Sequence, residues 1–156
     1  YEMQRSLVGS EMCIRDSYRC AAEIENVCFN DRPWTEEQFH EEIYIDFSRT
    51  FIAYCGNSPA GFVNVWLTPP VAIINNIAVL PKYRRRGIAQ RMINAALGEC
   101  GECSSLSLEV RVSNLSAIAL YEKMNFSQVG RRKNFYENPR EDAFIMTRFM
   151  EKIKHD

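Results

Sequence analysis

No apolar run in these 156 residues approaches the ~20 that a membrane-spanning helix needs, which excludes a helical membrane span. No charge of one sign dominates either. Nineteen Lys and Arg against twenty Asp and Glu leave a net charge of −1, so no global field favours nucleic acid or an anionic membrane, and any such contact needs a local patch. Histidine is scarce: His40 and His155 are isolated from one another. The one short cysteine pair, Cys100-Gly101-Glu102-Cys103, has metal-ligand spacing but no second pair and no nearby histidine, so it is read as a helix-end turn and no metal is expected. There are no repeats and no low-complexity linkers, and no signal peptide is expected. What is present is 46% hydrophobic and 25% charged residues, enough to bury a real core, in a length that suits one domain.

The opening residues stand apart. Glu11-Met12-Cys13-Ile14-Arg15-Asp16 resembles an in-frame translation of the mosaic-end adapter of transposon-based sequencing libraries, GAG ATG TGT ATA AGA GAC AG, whose two remaining bases require Ser or Arg next; Ser17 follows. Residues 1–17 are therefore expected to be adapter-derived and are set aside, as a fusion scar would be, with a natural extension as the alternative. The informative domain is then 18–150, and 151–156 is a polar C-terminal tail. Setting aside two basic and three acidic residues leaves seventeen of each, so the remainder is neutral overall. Its five cysteines, an odd number, fit a reducing cytosol, and a cytoplasmic location is expected.

From Tyr18 the pattern alternates between helix and strand. Ala21, Ile24, Val27 and Cys28 share a helical face, and Thr35-Glu36-Glu37-Gln38 has the spacing of a capping box that opens a second helix. Phe51–Cys55 and Phe62–Leu67 read as strands around a turn at Gly56–Gly61, and Val71–Val79 as a long strand bounded by Pro70 and Pro81. Ile88, Ala89, Met92, Ile93, Ala96 and Leu97 form one helical stripe. Ser105–Val110 alternates as a strand, and a helix follows over Leu115–Met124, with Asn114 as N-cap and Asn125 as a left-handed stop. Phe126–Phe135 and Ala143–Phe149 flank a turn at Glu137–Arg140. This order predicts a single-domain α/β (α+β) fold, a mixed, mostly antiparallel sheet with helices on both faces.

Arg84-Arg85-Arg86-Gly87-Ile88-Ala89 lies between the end of a strand and the start of a helix, where free backbone N–H groups and the positive end of the helix dipole make an anion site. A basic cluster is more often a solvated surface, and three arginines also suit RNA; the placement favours phosphate. Arg84-x-x-Gly87-x-Ala89 resembles the acyl-CoA pyrophosphate signature of the GNAT superfamily of N-acetyltransferases. Around it stand Asn76-Ile77-Ala78-Val79, Leu108-Glu109-Val110-Arg111-x-Ser113-Asn114, Ala117 to Phe126 and Arg140-Glu141-Asp142-Ala143. This ordered set resembles the RimI-type ribosomal-protein-alanine N-acetyltransferases over nearly all of Tyr18–Met150.

The resemblance implies a sheet whose central strands, holding Ile77-Ala78-Val79 and Leu106–Glu109, splay apart to admit the pantetheine arm of acetyl-CoA. Ile77, Ala78 and Val79 would contribute mainly backbone; without the resemblance they read as core. Arg85, Arg86, Gly87, Ile88, Ala89 and Gln90 would wrap the pyrophosphate, and Asn114 would bond the cofactor. Glu109 would be the base and Tyr121 the acid, since acetyl transfer needs a neutral amine and a proton for the departing thiolate. Taken singly, a strand-end Glu reads as a surface charge and a helical Tyr as packing.

An N-terminal amine titrates near ~7.7–8.0 and a lysine near ~10.4, so a single modest base favours an α-amine acceptor. The resemblance implies that Phe29–Trp34 and Phe135-Tyr136 wall the peptide's first residues, with one hydroxyl fewer than the Tyr-Tyr pair common in similar enzymes. Glu141 and Asp142 are candidates for attracting a basic second residue, against the alternative of a solvated acidic turn. The expected partner is a protein N-terminus, with a ribosomal protein as the candidate and no direct nucleic-acid or membrane contact. Acetylation of a lysine or small amine by the same fold, and a non-catalytic acyl-CoA-binding module, are the competing readings. Similar enzymes also carry an opening strand, which here is expected to have been replaced by the adapter residues.

Overall fold

The computed structural model describes residues 2–5 and 11–151, with side chains from Ser17 onward. His155 and all of the 151–156 tail after Glu151 lie outside the described residues. The elements run β1 (Glu2–Arg5), α1 (Glu11–Cys28), α2 (Glu36–Glu42), β2 (Ser48–Cys55), β3 (Ser58–Thr68), β4 (Val71–Val79), a 3₁₀ turn (Pro81–Tyr83), α3 (Ile88–Glu99), β5 (Ser105–Arg111), α4 (Leu115–Lys123), β6 (Ser127–Glu137) and β7 (Arg140–Phe149). They form one sheet in the order β1-β2-β3-β4-β5-β7-β6, antiparallel except for the β4–β5 pair. The 1–17 segment contributes β1, paired with β2, and the first turns of α1.

Both faces of the sheet are covered, and strand alternation sorts the side chains between them. Phe51, Ala53, Val63 and Val65 join the larger core with Ile88, Met92, Ile93 and Ala96 of α3; Ile52 and Phe62 point the other way, to Ala21 and Ile24 of α1 and Phe39 of α2. Fully buried residues of the size of Phe62 or Ile52 each contribute about 1.5–3 kcal/mol of transfer free energy. The capping box at Thr35 forms: Gln38 N–H donates to Thr35 Oγ1 at 3.2 Å and Thr35 N–H to Gln38 Oε1 at 2.8 Å. Asn114 caps α4, and Asn125 closes it at φ 67°.

The sequence reading departs from the structure in three places. Val27 does not share the buried face of α1, being 60% exposed; the covered stripe runs Ala21, Ile24, Glu25, Cys28, an i, i+3, i+4, i+7 series that passes through a carboxylate. The turn after β2 is Gly56-Asn57 alone, with Gly56 at φ 61°, and Ser58–Gly61 already belongs to β3. The closing hairpin is longer than its apolar residues indicate, pairing Tyr136 with Glu141 and Glu137 with Arg140 around Asn138-Pro139. Almost all of β6 is exposed, so no burial alternation marks its length.

The opening in the sheet lies between β4 and β5. They pair only through Val71–Ser105, Ala72–Leu106 and Ile73–Ser107; beyond this, β4 bonds only β3 and β5 only β7. Asn75 is the extra residue of a bulge, since Asn64 faces Asn76 while Val65 faces Ile74. A bulge bends its strand, and this one sits where the two strands part. Gly61 lets β3 back closely onto β4: a Cβ there would stand 2.6 Å from the Ala78 carbonyl.

Candidate active site

At one end of the opening, the chain leaves β4 through the 3₁₀ turn and reverses into α3. Arg85 (φ 62°) and Gly87 (φ 75°) are both left-handed, and Gly87 is the N-cap of α3 with no side-chain cap. The first helical bond runs from Arg91 N–H to the Gly87 carbonyl at 3.1 Å. The N–H groups of Ile88, Ala89 and Gln90 take no partner among the described residues, leaving donors and the helix dipole directed outward. A Cβ on Gly87 would meet nothing within 4 Å, so glycine is required by backbone conformation rather than crowding. Arg85 and Arg86 are exposed, with Arg86 5.7 Å from the Tyr83 ring centre. Arg84 turns the other way, donating from Nε to the Val79 carbonyl at 3.0 Å.

Ile77 and Val79 pack on the α3 side and Ala78 on the α1 side, so all three side chains serve the core. Their backbone borders the unpaired edge of β4 that faces β5. The Val79 carbonyl is engaged by Arg84 and also by the Cys28 thiol at 3.5 Å. Asn114 stands exposed at the mouth; its Oδ1 accepts from Ala117 N–H at 3.3 Å and from Ser116 Oγ at 3.4 Å, which leaves its amide donors free of the cap.

On the opposite wall, Glu109 of β5 is ion-paired with Arg132 of β6 at 2.7 Å. Tyr121 is buried with its ring centre 5.9 Å from that of Phe126. Burial, followed by the neighbouring Tyr136 hydroxyl, pushes its phenol up to about 12. Tyr136 is likewise pushed up to about 12, first by burial and then by the Glu109 carboxylate. Glu109, Tyr136 and Tyr121 therefore share one electrostatic neighbourhood in which both phenols keep their protons at neutral pH.

Arg111 and Glu25 carried no role in the sequence reading. Arg111, two residues after Glu109 on the same strand face, pairs with Asp31 at 3.3 Å and Glu141 at 3.2 Å. Glu141 also accepts from Ser113 N–H at 2.7 Å, and these contacts, Ser113 first, hold its carboxyl below the usual range. Asp142 is held low by Asn134 N–H and then by Arg131. Each acid is ion-paired within the fold, Glu141 with Arg111 and Asp142 with Arg131. Glu25 is buried at 3% exposure; its Oε1 accepts from Trp34 N–H at 3.2 Å and Asn76 Nδ2 at 2.9 Å, while its Oε2 has no partner. Burial pushes that carboxyl up. The one signal for Glu25 in the sequence is its place in the α1 stripe. Cys100 and Cys103 form the turn after α3, Cys103 N–H donating to the Cys100 carbonyl at 2.6 Å.

A mixed sheet parted at its one parallel pair, with an uncapped helix N-terminus at one end and a Glu–Tyr–Tyr group on the facing wall, defines a transferase-type cleft. The chain belongs to the acetyltransferase (GNAT) family, whose model matches residues 16–126. It is 36% identical to the ribosomal protein bS18-alanine N-acetyltransferase of Escherichia coli K12 over 121 residues, covering 73% of this chain and 79% of that one. It is 31% identical to the N-alpha-acetyltransferase RimI of Mycobacterium tuberculosis over 137 residues, 85% and 86% of the two chains. The crystal structure of the E. coli ribosomal-protein-S18-alanine N-acetyltransferase superposes with a TM-score of 0.80 at 28% identity, covering 98% of each chain. A Bacillus anthracis acetyltransferase in complex with acetyl coenzyme A is 28% identical, covering 71% of this chain and 67% of that one, with a TM-score of 0.64. No helix among the described residues is long and apolar enough to cross a membrane.

Proposed function

We propose that this protein transfers the acetyl group of acetyl-CoA to the N-terminal α-amine of a protein, with the N-terminal alanine of a small-subunit ribosomal protein as the candidate acceptor in the cytoplasm. The observation that carries the reading is the cleft itself: an unpaired β4 edge, with the open donors of α3 at one end and Glu109, Tyr136 and Tyr121 on the facing wall. The names of the relatives at 31% and 36% identity support the choice of acceptor.

Acetyl-CoA supplies a thioester-activated acetyl group and a pyrophosphate for the protein to hold. The uncapped N–H groups of Ile88, Ala89 and Gln90 and the left-handed turn through Arg85 and Gly87 fit that pyrophosphate, with Arg86 adding positive charge. Ile77 and Ala78 offer their backbone along the open edge, as does Val79 apart from the carbonyl that Arg84 and Cys28 engage, and Asn114 offers its free amide donors. Glu109 takes a proton from the α-ammonium, directly or through water, which leaves a neutral nitrogen to attack the thioester carbonyl. The C–S bond breaks as the amide forms; Tyr121 gives its proton to the departing sulfur and regains one from the second proton the nitrogen loses, so each turnover releases one proton, from Glu109 to water. A phenol near 12 can serve because the burial that raises it also raises the proton affinity of a thiolate in the same cleft. A lysine acceptor would demand stronger deprotonation than this single carboxylate supplies.

The test is thiol release from acetyl-CoA with peptides whose N-termini are free or blocked. Turnover confined to free N-termini is the expected result. Turnover of N-blocked lysine peptides overturns the acceptor assignment, and tight CoA binding without turnover identifies a binding module instead.

A further inference from the structure

Arg111 lies at the end of β5, where its guanidinium meets both the α1–α2 loop and the β6–β7 hairpin. Its Nη1 donates to the Pro139 carbonyl at 2.9 Å and to Glu141 Oε2 at 3.2 Å; its Nη2 donates to Asp31 Oδ2 at 3.3 Å and to the Asn138 carbonyl at 3.2 Å. The Tyr136 ring centre lies 4.2 Å from the guanidinium carbon. Asp31, in the α1–α2 loop, also accepts from Glu137 N–H at 2.8 Å, and Glu141 reaches Ser113 N–H at the approach to α4. Four acceptors and an aromatic face around one planar cation suit arginine, since a lysine ammonium has three donors and no plane to stack. None of these partners belongs to the loop at Arg84–Gln90.

We propose that Arg111 is a positioning residue that locks the α1–α2 loop and the β6–β7 turn together as the two walls of the slot for the acceptor peptide. This rests on the acceptor being a peptide N-terminus, as proposed above. The lock sets the spacing between Asp31 and Tyr136, and through Tyr136 the surroundings of Glu109 and Tyr121. Charge and geometry predict opposite signs when it is removed. Arg111→Gln deletes a cation beside two carboxylates, so electrostatics alone would strengthen binding of a cationic N-terminus. Loss of the walls weakens it.

The measurements are peptide KM, kcat, acetyl-CoA Kd and amide hydrogen exchange in Arg111→Gln, Arg111→Lys and the milder Asp31→Asn, which serves if Arg111→Gln does not fold. The expected result is a rise in peptide KM of about tenfold, the value of one charge-assisted contact, with acetyl-CoA Kd changed less than about twofold. Arg111→Lys is expected to restore little. An unchanged or lower peptide KM, an equal loss of acetyl-CoA affinity, or full rescue by lysine overturns the proposal. The amides of Glu137 and Ser113, which the two locked carboxylates accept from, are expected to exchange faster together in Arg111→Gln. If the wild-type protein acetylates no free N-terminus, the proposed function fails by itself; exchange then decides the lock, and unchanged protection of both amides overturns it.

Discussion

Replacing Gly87 by aspartate introduces two separable penalties. The first is conformational: Gly87 sits at φ 75°, and an L-residue held left-handed costs about 1–2 kcal/mol. Crowding adds nothing, because no protein atom lies within 4 Å of the new Cβ. The second is electrostatic. A carboxylate ~5 Å from a phosphate charge, at an effective dielectric of ~20, is repelled by about 3 kcal/mol, roughly two orders of magnitude in Kd. Salt screens the exposed part of this, so the loss shrinks as ionic strength rises. Gly87→Asn separates the two penalties, since asparagine matches aspartate in size and in its behaviour in the left-handed region but carries no charge. The assay is CoA binding by calorimetry for wild type, Gly87→Asn and Gly87→Asp at low and high salt. Asparagine should bind within about tenfold of wild type, and aspartate roughly a hundredfold more weakly at low salt, recovering with salt. Wild-type affinity in Gly87→Asp, or a loss indifferent to salt, would refute a pyrophosphate site on this loop.

Tyr121→Phe should lower kcat by about 10²–10⁴-fold while acetyl-CoA Kd stays near wild type, and unchanged turnover in steady-state kinetics removes it as the acid. Glu25→Gln should change the pH dependence of stability. Burial raises the Glu25 carboxyl, so its favourable contribution is complete below the ordinary carboxylate range and is lost as pH rises through the raised value. Glutamine keeps an acceptor for Trp34 N–H and the Asn76 amide. Its Tm relative to wild type should therefore climb from pH ~4 to pH 8, and a difference independent of pH counts against the assignment. Gly61→Ala should cost about 1–3 kcal/mol in chemical denaturation, because its Cβ would stand 2.6 Å from the Ala78 carbonyl. An unchanged midpoint would mean that β3 and β4 separate without penalty.

The elements that short-range rules govern are legible in the chain. Thr35 and Gln38 satisfy two free helix donors from three residues apart, and the α3 stripe needs only helical periodicity. Asn125 stops α4 because asparagine tolerates a left-handed residue, and Val71–Val79 matches the strand read between the two prolines. The turn into α3 is legible for the same reason, since Gly87 and the helix after it are contiguous. Charged groups with distant partners are not. Glu25 acquires its partner only when α1 lays it against Asn76, and the acidic pair Glu141-Asp142 meets Arg111 and Arg131 only through the assembled sheet.

The sequence by itself determined the order of elements from Tyr18 onward, the caps, the stripe of α3 and the turn into it, because each is settled within a few residues by backbone and capping chemistry. Only the tertiary structure decided where the sheet parts, how the Glu109, Tyr136 and Tyr121 neighbourhood assembles, and that Arg111 joins Asp31 to Glu141. A charge or an unpaired strand edge acquires its partner from strand register and helix placement, which depend on the whole sheet being assembled at once.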